Sequence, residues 1–116
     1  MQDFKQLMVW EKAHQLTLNI YKVTALFPKE EIYGLTSQIK RASASIALNI
    51  AEGCGRGSDV DFKRFLIMSM GSANEVEYCL FLARDINYIC SETFEGLQTQ
   101  IEEVKKMLST FIRKLK

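Results

Sequence analysis

The chain has little of what most catalytic and metal-binding sites are built from. Among 116 residues there are one histidine, one tryptophan, one proline and three cysteines. A single histidine cannot supply a multi-histidine metal set, and a Ser-His-Asp or Cys-His arrangement lacks a partner acid on its helical face. Cys54, Cys79 and Cys90 are odd in number and have no metal-type spacing, so they read as buried, reduced thiols of a cytosolic protein. No apolar run is long enough to span a membrane. The opening "MQDFKQLMVW" lacks the basic start and apolar run of a secretory signal. An excess of one charge is missing too. Fifteen basic and fourteen acidic side chains leave a net charge of +1, far from the footprint of a dedicated nucleic-acid binder. No enzyme, no catalytic residue, no cofactor and no metal is expected from this inventory.

What the chain does have is periodicity. Val9, Ala13, Leu16, Ile20, Val23 and Phe27 alternate steps of four and three, the seam of a helix packed in a left-handed bundle. Leu35, Ile39, Ala42, Ile46 and Ile50 repeat it after Pro28. A third seam runs from Phe62 to Ala83 and a fourth from Phe94 to Leu115. Four such seams with short connections predict an all-α, antiparallel up-and-down four-helix bundle in one domain, residues 1–116. The helices are expected near 5–27, 31–53, 58–88 and 92–115. Pro28 should end the first, Ser58 should cap the third and Ser91 the fourth. Gly71, inside the third helix, is expected to admit a close neighbour.

"NIAEGCGRGSDVDFKRFL" holds the one glycine cluster. A phosphate-binding loop needs a lysine and a Ser or Thr after its last glycine and a strand before the first, and neither condition is met. Asp59 and Asp61 already occupy the positive end of the next helix, where a phosphate would have to sit. Gly53 and Gly55 therefore read as the stop of the second helix. Glu52 either locks this loop, with Arg56 in reach, or is simply solvated. Glu11 and His14 have the i, i+3 spacing of a di-iron ligand pair but lie more than about 100° from the core seam, with no second pair to join them.

Three helices carry apolar residues on a second face. Leu7, Trp10, Leu18 and Tyr21 lie off the first seam. Ala44, Ala47, Leu48 and Ala51 lie off the second, and Ile67, Met70, Tyr78, Phe81 and Leu82 off the third. The fourth helix shows Glu102, Lys106, Thr110 and Arg113 there and faces water. Such a patch marks an interface, so a homo-oligomer is expected through the first three helices, with Trp10, Tyr21, Ala44, Ala47, Leu48 and Ala51 in the contact. The alternative is a wide core that absorbs both faces.

"DFKQLMVWEKAHQL", "FPKEEIYGLTSQIKRASASIALNIAEGCGRGS" and "DFKRFLIMSMGSANEVE" resemble the four-helix-bundle proteins encoded by intervening sequences of bacterial 23S ribosomal RNA genes, a family also labelled ribosomal-protein-like. The resemblance runs from about Phe4 to Tyr88. Two positions depart from the family pattern: Ala47, where many members carry proline, and Cys54, where an aromatic is usual. The resemblance implies a closed bundle that assembles as a ring, commonly a homopentamer, with no established enzymatic activity. Its more distant relatives are the accessory variability proteins of diversity-generating retroelements, pentamers that bind nucleic acid and a reverse transcriptase.

Two functions follow as expectations. One is a non-catalytic oligomeric scaffold that contacts ribosomal RNA or other nucleic acid at the backbone, through Arg56, Lys63 and Arg64 repeated around the assembly. The bland reading of those charges is a solvated face, since Asp59 and Asp61 interleave with them. The other is an adaptor for a protein partner, such as a reverse transcriptase or a ribosome-assembly factor, without nucleic-acid contact.

Overall fold

The computed structural model describes residues 3–115. Four helices form an antiparallel up-and-down bundle: α1 (Met8–Thr24), α2 (Leu35–Cys54), α3 (Asp59–Asp85) and α4 (Ser91–Lys114). Each packs on its neighbours in sequence, and α1 closes the ring of four against α4. The bundle measures 43 × 24 × 20 Å. Leu16, Ile20, Ile39, Ile46, Ile50, Leu66, Leu80, Ile101 and Leu108 fill its axis with essentially no exposure. All nine lie on the predicted seams, which is why a four-and-three alternation of branched aliphatics specifies this packing.

The helix ends differ from expectation by a few residues, each for a local reason. Residues Phe4–Gln6 form a separate 3₁₀ turn, capped by Asp3 Oδ1 accepting from the Lys5 amide at 3.0 Å, so α1 begins only at Met8. α1 stops at Thr24 rather than Phe27, because Phe27 precedes Pro28 and the α conformation is disfavoured there. A 3₁₀ turn at Lys29–Glu31 follows, and α2 starts at Leu35, whose amide donates to Glu31 Oε1 at 3.0 Å. α3 ends at Asp85. Asn87 takes a left-handed φ of 66°, Asn87 N donates to Arg84 O and Tyr88 N to Ala83 O, a Schellman closure with asparagine in the usual glycine place. Ser58 caps α3 as expected, accepting from Asp61 N. α4 is capped by Cys90, whose sulfur accepts from Thr93 N; Ser91, expected in that role, is the first helical residue.

The glycines change places. Gly53 does not stop α2 but lies buried in its last turn, where a Cβ would fall 2.6 Å from Phe65 Cβ. It is the glycine that lets α2 and α3 approach. Gly71, expected to do this, is exposed, with nothing within 4 Å of an added Cβ. Gly55 caps α2 in a right-handed conformation (φ −89°), and the left-handed residue of the loop is Gly57 (φ 90°). Fully buried Ser43 and Ser69 help α2 approach its neighbours. Ser43 O accepts from Thr17 Oγ1 at 3.0 Å, and Ser69 Oγ donates to Ile46 O at 2.8 Å. Helix-to-helix approach and polar satisfaction are therefore met by the same small side chains.

Candidate interaction surfaces

Because the seams fill the axis, much of the second apolar faces is left outside the bundle. Large hydrophobic side chains stand exposed on α1 (Met8, Leu18, Tyr21), at the α1–α2 connection (Leu26, Ile32, Tyr33), on α2 (Leu48) and after α3 (Ile86). α3 adds Val60, Ile67, Met68, Tyr78 and Phe81. α4 contributes none. The face between α1 and α2 is concave. Tyr21, Ile32, Thr36, Ser37, Lys40, Arg41 and Ala44 line a depression of about 430 Å³, with the Lys40 ammonium 4.5 Å from the centre of the Tyr21 ring.

Of the residues expected at an oligomer contact, Leu48 is the most open, at 65% exposure, and Tyr21 is exposed on α1, against Lys40 of α2. Ala44 and Ala51 are half-buried. Two residues differ. Ala47 is only 8% exposed and belongs to the bundle core, one turn beyond Ser43, whose carbonyl accepts from Thr17 of α1; Leu7, also off the first seam, is buried in the same core. Trp10 is half-buried and spends its ring on its own chain, edge-on to Phe4 at 5.1 Å and stacked on His14 at 5.0 Å. Part of the second face is thus absorbed by a wide core, and the rest is left in water.

The α2–α3 loop and the first turns of α3 bring two of the three expected cations to one ring. The guanidinium of Arg56 lies 5.3 Å and that of Arg64 5.9 Å from the centre of Phe65, which α3 presents against Gly53. Arg64 is paired with Asp61 at 3.0 Å. Arg56 meets Glu52 only at 3.9 Å, with both side chains about half exposed, so the loop is held by Gly53, Phe65 and the Ser58 cap rather than by Glu52. Lys63 is half-buried and enters no ion pair among the described residues. The stacking of two guanidiniums on Phe65 was legible only once the helix-to-helix register was known.

Titratable chemistry is sparse. Among the described residues no three His, Cys, Asp or Glu side chains gather in a metal-holding group, and His14 is engaged with Trp10. Cys54 and Cys79 are buried and burial pushes both thiols up. Cys90, expected to be buried, is exposed; its thiol donates to the Thr93 hydroxyl and accepts from the Thr93 amide, and these contacts hold it below the ordinary value. Two polar links escaped the sequence reading because they join distant segments. Glu77 on α3 accepts from Lys105 Nζ at 2.7 Å and from Gln98 Nε2 at 2.6 Å, both on α4. These bonds, the lysine's first, hold its carboxyl below the ordinary range. Glu31 accepts from the Tyr88 hydroxyl at 2.8 Å. No helix among the described residues is long and apolar enough to cross a membrane.

Residues 5–110 match the family described as 23S rRNA-intervening sequence protein. No curated protein is found to match the sequence. A crystal structure from Bacteroides thetaiotaomicron, described as a protein with unknown function from the S23 ribosomal protein family, is similar over 92% of this chain and 100% of its own. The two share 29% identity, and the TM-score is 0.85.

Proposed function

The chain belongs to the 23S rRNA-intervening sequence protein family, and from that premise we propose a non-enzymatic protein that works as a homo-oligomer and contacts RNA or DNA through its phosphate backbone. One observation carries the assembly: exposed large hydrophobic side chains occur on α1, α2 and α3 and never on α4. A monomer that merely tolerated scattered apolar residues would show them on all four helices. Copies joined through α1, α2 and α3 bury that surface, except Met8 at the start of α1, which lies on the α4 side, and leave α4 outermost. A closed ring, five copies by family resemblance, is the arrangement in which the same joint is used throughout.

The nucleic-acid contact is supported by Arg56, Arg64 and Lys63, brought to one end of the bundle by the α2–α3 loop. Repetition around an oligomer would multiply a patch that is weak in one copy, because Asp61 and Glu52 offset part of it. Contacts of this kind read phosphate, not sequence.

The assembly is tested by sedimentation equilibrium of Leu48→Glu. Monomers are expected, and a variant with the parent's mass overturns the α2 contact. Filter binding of ribosomal RNA across a salt series tests the rest. Affinity should fall steeply with salt, and the slope should flatten by about one for each of Arg56, Lys63 and Arg64 changed to Ser. Absence of binding at every salt concentration overturns the nucleic-acid reading and favours an adaptor for proteins.

A further inference from the structure

A second apolar surface lies away from the α2 contact, in the crevice between the start of α1 and the last three turns of α4. Met8, Val9, Met107 and Phe111 supply its apolar lining, and Lys106, Thr110 and Lys114, all on α4, its polar rim. The trough encloses about 400 Å³. Val9 is buried, Met107 and Phe111 are half-buried, and Met8 is exposed, so the apolar material is preformed rather than collapsed into the core. Lys106, Thr110 and Lys114 follow one another at i, i+4 and i+8, which lines them along one edge of the helix.

The charges on that rim are uncommitted. None of the ion pairs among the described residues uses Lys106 or Lys114; the nearby Lys105 and Lys12 are the ones engaged, with Glu77 and Glu103. Two lysines eight residues apart on one helix are spaced about 12 Å along its axis. An acyl chain with a single anionic head would meet one of them and leave the second unused. A helix laid along the trough, with two apolar side chains on successive turns and acids at the same spacing on one flank, meets both. Methionines at two positions of the lining suit an adaptable groove of this type.

We infer that the α1–α4 trough is a docking site for an acidic amphipathic helix of a partner protein. This goes beyond the oligomer reading and does not depend on it, since the proposed assembly leaves α4 outermost.

The test uses the full chain and a fluorescent synthetic peptide of about four helical turns. The peptide carries Leu on two successive turns of one face and Glu on the flank at i and i+8. A companion peptide carries Lys in place of each Glu, and decanoate is the small-amphiphile control. Saturable binding of the acidic peptide is expected, weakened about tenfold or more by Lys106→Glu with Lys114→Glu and abolished by Met8→Glu. These side chains are exposed, so the variants should fold, and their sedimentation should match the parent's whether or not the oligomer reading holds. The proposal is overturned if the acidic peptide fails to bind, if the lysine peptide binds as well, or if Met8→Glu leaves binding intact. Decanoate occupying the trough while the peptide does not would make it a small-amphiphile site and would equally overturn the helical occupant.

Discussion

The Tyr88 hydroxyl donates to Glu31 Oε2 at 2.8 Å while the other oxygen of the same carboxylate accepts the Leu35 amide at 3.0 Å. One side chain thus starts α2 and pins the α1–α2 connection to the end of α3. The two bonds, that from Leu35 first and that from Tyr88 second, hold the Glu31 carboxyl below its ordinary 4.5. A carboxyl with a depressed folded value contributes stability above its unfolded value and loses it as pH falls through the folded one. The same bond raises the Tyr88 phenol, whose contribution is present below its ordinary 10.0 and is lost as pH rises through the folded value. Tyr88→Phe should therefore lower the melting temperature at neutral pH. The gap to the parent should close on acidification below 4.5 and also at strongly alkaline pH, as melting curves across pH would show. A gap that stays constant down to the acid limit would mean the contact contributes nothing through ionisation.

Two glycines of similar appearance should respond in opposite directions to the same substitution. At Gly53 an added Cβ meets Phe65 Cβ at 2.6 Å, so Gly53→Ala must push α2 and α3 apart at a well-packed joint. A loss of about 1–3 kcal/mol is expected in urea unfolding. At Gly71 nothing lies within 4 Å of the new methyl, and the backbone is helical. Gly71→Ala should therefore stabilise by about 0.5–1 kcal/mol through propensity alone. Destabilisation at Gly71 would mean that something covers that face in the assembled protein.

The contrast shows where the sequence was readable. The seams of Leu16, Ile46, Leu66 and Leu108 were visible because a core residue's place depends on its own helix, and a four-and-three repeat needs no knowledge of the partner. Ser58 was visible for the same reason, since a cap acts three residues away. Gly53, Glu31 and Ala47 were misread or missed because their roles depend on the register between helices. An angle on one helical wheel says that Ala47 is off the seam; only the placement of the neighbouring helices decides whether it is covered. Cys90 takes the cap in place of Ser91, so α4 starts one residue earlier than expected, a choice between adjacent capping side chains that only the backbone conformation at Cys90 decides. The α1–α4 trough draws on residues from opposite ends of the chain, so no window of sequence contains it.

The three cysteines should separate cleanly in alkylation. Cys54 and Cys79 are buried thiols raised by burial, whereas Cys90 is exposed and accepts from the Thr93 amide at 3.5 Å, with the Thr93 hydroxyl 3.3 Å away. A thiolate is the reacting form, so a thiol held below 9.0 reacts sooner as pH rises. One equivalent of iodoacetamide should be taken up rapidly in the native protein, and Cys90→Ser should remove that fast phase. Thr93→Val should move its pH midpoint upward. Rapid modification of Cys79 in the folded state would contradict the packing of α3.

Two ion pairs offer a final comparison. Lys105 reaches Glu77 at 2.7 Å with their side chains 30% and 21% exposed, and Gln98 supplies a second donor to the same carboxylate. Arg56 stands 3.9 Å from Glu52 with both side chains near half exposed. Exposed single pairs contribute little because solvent screens them and two flexible side chains must be ordered, so Glu52→Gln should change stability by less than about 0.5 kcal/mol. Glu77→Gln removes the charge that holds two donors across the α3–α4 joint, and a loss of about 1 kcal/mol is expected at neutral pH. The Glu77 carboxyl lies below its ordinary value, so that loss should shrink on acidification as the parent itself becomes protonated. Chemical denaturation of both variants at neutral and acid pH checks the pair together. A loss at Glu52 as large as that at Glu77 would show that the α2–α3 loop is held electrostatically after all, whereas no loss at Glu77 would show that the closeness of α3 and α4 is set by packing alone.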